Sequence, residues 1–140
     1  MAGPRSSIRT DPATSERMAR IRQRDTGAER LVHEGLRRLG LRFRTHNRDL
    51  PGSPDVANRA KRWAIFVNGC YWHSHKGCVR ATVPKRNRLF WLKKFAANRA
   101  RDRRVVRELR SMGYRTLVIW ECEAEKPGSL LTRLRRLLSP

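Results

Sequence analysis

Between Cys70 and Cys78 the sequence reads Cys-Tyr-Trp-His-Ser-His-Lys-Gly-Cys, a dense group of side chains able to ligate zinc. The third cysteine, Cys122, follows an apolar run that ends at Trp120. Structural zinc takes four nitrogen or sulfur ligands in a tetrahedron. Cys70, His75, Cys78 and Cys122 supply three thiolates and one imidazole. The set uses every cysteine and would staple an irregular loop to a distant strand, while His73 stays outside it. The competing reading is three unrelated buried thiols beside exposed histidines. Clustering and the need for a staple favour zinc.

Other candidates are weaker when taken singly. Asp55 follows Pro54 at the start of a short extended stretch. If the hairpin that follows is centred near Lys61, Asp55 falls beside Val67, next to the start of the Cys/His loop. There a carboxylate could hold Mg²⁺ together with backbone carbonyls and phosphate oxygens; a turn aspartate after proline is the plainer reading. Histidine's reference pKa of about 6.5 suits proton transfer, so His73 could act as a general base; it is otherwise a loop histidine. Glu29 is at capping-box spacing from Thr26. Tyr71 and Trp72 flank proposed ligands and could stack on bases or pack inward. Phe90 and Trp91 are adjacent on a helical stretch, so one faces the core and the other is available.

Composition sets the partner class. Lys and Arg number 33 against 12 acidic residues, giving a formal charge of +21 and a pI near 11.7 in a chain of 140 residues. Such a chain is drawn to a polyanion in a salt-sensitive way. Charge alone fits a passive ribosomal-type or nucleoid-type binder as well as an enzyme, and DNA as well as RNA. No stretch approaches the roughly 20 apolar residues of a membrane span, and no apolar signal core opens the chain. A cytosolic location with reduced thiols is expected.

These residues need a scaffold. Residues 1–13 read as a flexible basic N-terminal segment, and 14–140 as one domain. Thr14 or Ser15 could cap a short helix through Arg22. A helix is expected from about Asp25–Glu29 to Leu39, with Leu31, Val32, Leu36 and Leu39 on its apolar side and Gly40 as its stop. Leu41–His46 alternates like a half-buried strand. Leu50–Pro54 is a turn, Asp55–Ala57 opens a second strand, and Trp63–Val67 is apolar on both faces, as a covered central strand should be. Gly69–Asn87 is a long loop. Arg88–Ser111 reads as a helix with Leu89, Leu92, Phe95 and Ala96, then Val105, Leu109 and Met112, inward. Tyr114–Trp120 is a buried strand, and Ser129 caps a last helix carrying Leu130, Leu134, Leu137 and Leu138. The expected class is α/β, a small mixed sheet flanked by helices.

Placed in order, several segments carry a resemblance: Met18 with Arg24–Glu29, Leu50-Pro-Gly-Ser-Pro-Asp55, Ile65-Phe-Val-Asn-Gly-Cys-Tyr-Trp-His73, Phe90-Trp-Leu92, Asn98 with Arg101–Arg104, and Trp120-Glu-Cys122. Together they resemble the very-short-patch-repair (Vsr-type) DNA mismatch endonucleases across about Ser15 to Glu121. The resemblance implies a restriction-endonuclease-like fold with structural Zn²⁺, and Mg²⁺-dependent nicking of one strand beside a T:G mismatch. It makes Asp55 the main Mg²⁺ ligand, helped by the Val67 carbonyl. His73 becomes the general base, Glu29 a supporting residue, and Tyr71, Trp72 and Trp91 wedges into the duplex. The zinc ligands carry over as Cys70, His75, Cys78 and Cys122. Members usually carry a His or an acid where this chain has Asn68, a neutral and weaker metal ligand within the catalytic group. The resemblance further implies double-stranded, mismatched DNA as partner, a MutL-type repair protein, a monomer, and a cytoplasmic, nucleoid-associated location. The alternatives are a related nicking or restriction-type endonuclease with another target, a zinc-stapled DNA-binding module without activity, and an RNA binder.

Overall fold

The computed structural model describes residues 27–70 and 75–138. The expected N-terminal segment, the helix through Arg22, and Tyr71, Trp72 and His73 lie outside the described residues.

Helix α1 spans Gly27–Arg38. Glu29 in its first turn and Arg37 and Arg38 in its last complement the helix dipole. Gly40, at φ 71°, stops it as expected. The buried stripe is Ala28, Val32, Gly35 and Leu36. Leu31, expected on that stripe, is 36% exposed, because it lies about 100° round the helix from Val32. Gly35 takes the place toward the neighbouring helix: a Cβ there would come within 2.8 Å of Leu134 Cδ1.

The sheet has three strands, β1 (Val56–Asn58), β2 (Trp63–Asn68) and β3 (Arg115–Trp120), in the order β1-β2-β3. β1 pairs antiparallel with β2, and β2 parallel with β3. Helix α2 (Arg88–Ser111) makes the crossover between the parallel pair. As the sequence implied, β2 is covered on both sides. Trp63, Ile65 and Val67 face the cluster built by α1 and the C-terminal helices, whereas Ala64 and Phe66 face Leu109 and Val105 of α2. This is the two-residue alternation of a strand buried on both faces. Among the described residues no helix is long and apolar enough to cross a membrane.

Other expectations are corrected. Leu41–His46 is not a strand; only Arg44 forms a bridge, to Ala57. The Asn58 and Asn47 amides donate to the carbonyls of Arg42 and Arg44, so side chains replace a continuing ladder. In α2 the buried residues are Trp91, Phe95 and Leu109. Leu89, Leu92, Ala96 and Met112 are exposed instead, since the inward stripe runs 91, 95, 98, 102, 105, 109 at helical spacing. A short helix, α3 (Glu121–Ala124), follows β3 directly. Helix α4 starts at Pro127, with Lys126 as its cap and Ser129 already inside the first turn. It ends at Arg135 in a 3₁₀ turn, Arg136–Leu138, that leaves Leu138 exposed.

Candidate active site and metal centre

Asp55 precedes β1, and Asn68 ends β2. The antiparallel pairing brings both to the same end of the sheet. The register, Val56 opposite Ile65, sets Asp55 across from Phe66, one residue short of the expected Val67. The shift follows from the turn, whose last residue, Arg62, is left-handed at φ 55°. The side chain nonetheless reaches Val67: its Oδ2 accepts a hydrogen bond from the Val67 N–H at 2.6 Å. The carboxylate thus takes the bond that the next rung of the ladder would have made.

The Leu50–Pro54 turn aims Asp55. Gly52 has φ 71°, and a Cβ on it would overlap Val105 of α2, so only glycine suits this close approach. Asn47, 2% exposed, donates its amide to the carbonyls of Arg44 and Pro54 and closes the loop internally. Arg59 clamps the loop from outside through paired 2.7 Å bonds to Asp49. That guanidinium, by hydrogen bonding, holds the Asp49 carboxyl below its usual range.

Asp55 lines a cleft of about 930 Å³ between α1, the turn, the end of β2 and the middle of α2. Glu29, Val67 and Asn68 share its lining, so three of the residues singled out beside Asp55 in the sequence come together here. Asn68 is 6% exposed. The cleft also holds His33, His46, Arg48, Arg101 and Asp102, which sequence reasoning did not single out as site residues. Their signals were present. His33 is one turn from Glu29 on the same helix. Asp102, one turn beyond Asn98, is the charged residue on the inward stripe of α2, where a charge calls for a reason.

Cys70, His75, Cys78 and Cys122 come together as expected: their ligand atoms all lie within 4.8 Å of one another, and the four could hold a metal ion. The loop folds back on itself through His75 N–H to the Cys70 carbonyl and Cys78 N–H to the His75 carbonyl. The fourth ligand arrives from the start of α3. His75 Nδ1 lies 3.6 Å from Cys70 Sγ and 3.5 Å from Cys122 Sγ. A tetrahedral site with nitrogen at about 2.1 Å and sulfur at about 2.3 Å has an N–S edge of about 3.6 Å. His75 stacks on Trp120 at 4.1 Å and 8°, which fixes the ring. Burial pushes the Cys70 thiol up to about 12, whereas the Arg80 backbone N–H draws that of Cys78 down. Arg80 secures the loop to α3, with Nη2 2.6 Å from Glu125 and Nη1 3.7 Å from Glu121.

Trp91 is the buried member of its pair, packed with Phe95, Val83 and a half-buried Phe90.

The family model described as DNA mismatch endonuclease Vsr matches residues 7–80. The chain is 42% identical over 135 residues to the type II nicking enzyme V.XorIIP of Xanthomonas oryzae pv. oryzae, covering 94% of this chain and 98% of that protein. It is also 42% identical over 113 residues to the DNA mismatch endonuclease Vsr of Escherichia coli, covering 80% and 72%. Against the type II nicking enzyme V.NmeAIP of Neisseria meningitidis the identity is 34% over 121 residues, 86% of each chain.

Proposed function

Given that this chain belongs to the Vsr family and is a DNA endonuclease, we propose that it nicks one strand of duplex DNA beside a T:G mismatch, with the cleft around Asp55 as its active site. The contact between the Asp55 carboxylate and the Val67 N–H carries this reading. A strand residue turns its N–H and C=O toward the same neighbour, so the Val67 carbonyl faces Asp55 too. Together they make an all-oxygen donor set of the kind Mg²⁺ takes. Bound there, Mg²⁺ would offset charge developing on the phosphate and ease ionisation of the attacking water.

The chain's own groups have separate tasks. Asp55 and the Val67 carbonyl hold the cation, and Glu29 braces the cleft from α1. His73 takes the proton of the attacking water on an imidazole nitrogen. Arg48 and Arg101 on the cleft walls draw in the phosphate. Tyr71 and Trp72 wedge beside the mismatch, which unstacks more easily than a paired step. For Trp91 the same task requires its ring to turn out from Phe95 and Val83. The three-thiolate, one-imidazole set fits structural Zn²⁺, and its N–S spacings match a tetrahedral edge. The sheet with its carboxylate at the strand end is in keeping with a restriction-endonuclease-like fold. A monomer in the cytoplasm, near the nucleoid, with a MutL-type partner, completes the proposal.

A labelled duplex carrying one T:G mismatch, incubated with and without added Mg²⁺, tests it. A metal-dependent nick next to the T, absent with Asp55→Ala and with paired DNA, is the expected result. The identity to V.XorIIP favours one second reading, a nicking enzyme with another target; cleavage of fully paired DNA at a defined sequence would select it.

A further inference from the structure

Three arginines among the described residues are held against carboxylates. Arg59 pairs with Asp49, Arg80 with Glu125 and Arg133 with Glu123. Arg37, Arg42 and Arg44 are exposed and, like several other arginines among the described residues, are in no ion pair; what sets them apart is their grouping. They converge on one hollow of about 660 Å³. Their convergence is built into the fold. Gly40 reverses the chain after α1, so residues 41–45 run back along the helix that carries Arg37. Arg42 and Arg44, two residues apart on an extended segment, stay on one side. The backbone beneath them is fixed by Asn58 Nδ2 on the Arg42 carbonyl at 3.0 Å and by the two-bond bridge between Arg44 and Ala57. Phe43 also lines the hollow, stacked on His33 at 5.2 Å, with the Arg37 guanidinium 5.5 Å from its ring centroid.

The hollow adjoins the cleft. Thr45 lines both, and His33, against which Phe43 stacks, is part of the cleft wall. Resting on the reading of that cleft as the nicking site, we infer that Arg37, Arg42 and Arg44 form a track for the phosphodiester backbone of the duplex flanking the nick. Arginine's planar fork suits phosphate oxygens, and none of the three has an ion pair to break. With one phosphate to each guanidinium, the track meets up to three phosphates of one strand. It adds affinity and holds the duplex in register, and does no chemistry.

The test is the salt dependence of binding to a labelled mismatched duplex, measured by anisotropy without added Mg²⁺. If each guanidinium meets one phosphate, the triple variant Arg37→Gln, Arg42→Gln, Arg44→Gln lowers the steepness of log K against log salt by about 2 to 3. The matching Arg→Lys triple variant keeps the slope, which separates charge from folding. A charge-matched control on α2, Arg103→Gln, Arg107→Gln, Arg110→Gln, should change it less. An unchanged slope in the first variant, or an equal change in the control, overturns the track. Asp55→Ala reports on the cleft separately: it should lose nicking with the salt slope intact. Failure of the wild-type chain to nick would refute the cleft reading, while the slopes would still decide the track.

Discussion

The carboxylate of Asp55 accepts the Val67 N–H at 2.6 Å, closing the end of the β1-β2 ladder with a side chain. One group therefore has two duties, satisfying a strand end and presenting charge to the cleft. The two separate by substitution. Asp55→Asn retains an oxygen for the Val67 N–H but loses the charge; Asp55→Ala loses both. Both variants should drop nicking at least about 100-fold. The alanine variant should in addition be less stable by about 1–3 kcal/mol, for an unmade hydrogen bond. Denaturant titration beside a nicking assay checks this, and equal stabilities would count against the ladder role.

Asn68, almost buried at the end of β2, lines the same cleft. Asn68→Asp adds a second carboxylate near Asp55. Without a divalent ion the like charges should lower the melting temperature, and with Mg²⁺ the loss should be recovered. The Mg²⁺ concentration for half-maximal nicking should fall. An unchanged Mg²⁺ titration and an unchanged rate would speak against this placement.

The three thiols and His75 should bind one zinc per chain. Removal of the metal should expose three reactive thiols and loosen the 75–87 segment from α3, seen as faster hydrogen exchange there. Cys122→Ser should lower the zinc content, and with it the stability. Three freely reactive thiols in the protein as isolated, with no bound zinc, would contradict the assignment.

Gly35 marks the close approach of α1 to α4. Gly35→Ala should destabilise by about 1–3 kcal/mol through overpacking against Leu134. Combined with Leu134→Val, the cost should be less than the sum of the two single changes. Strict additivity in a double-mutant cycle would show that the two do not share the space.

The Asp49 carboxyl is held below its ordinary value by the Arg59 hydrogen bonds. A folded pKa below the unfolded one means that the contribution is present above about pH 3.9. It is lost as pH falls through the folded value. In Arg59→Gln the Asp49 pKa should rise toward the ordinary value, which a carbon-detected NMR titration reads directly. A pKa unmoved by that substitution would remove the clamp from the account.

The sequence disclosed some of this and concealed the rest for physical reasons. The apolar run Trp63–Val67 could only be a covered strand, because no polar residue marks an outer face. The four candidate metal ligands stood out because cysteine and histidine are scarce in this chain and three of the four lie close together. Leu41–His46 misled because alternation reports one buried and one exposed side, which a segment pinned by Asn47 and Asn58 shows as well as a strand. Asp55 was placed one rung out because Arg62's left-handed turn is invisible to hydrophobic pattern. Asp102 and His33 were passed over because Asp55, Val67 and Asn68, which face the same cleft, come from other elements, and only the fold joins them.

The most direct test of the central claim is a single-turnover assay on a duplex with one T:G mismatch, comparing the wild-type chain with Asp55→Asn across Mg²⁺ concentration. The account predicts one nick, next to the T, that requires Mg²⁺ and is lost in Asp55→Asn while duplex binding persists. A nick of equal rate in Asp55→Asn, or one indifferent to Mg²⁺, would contradict it.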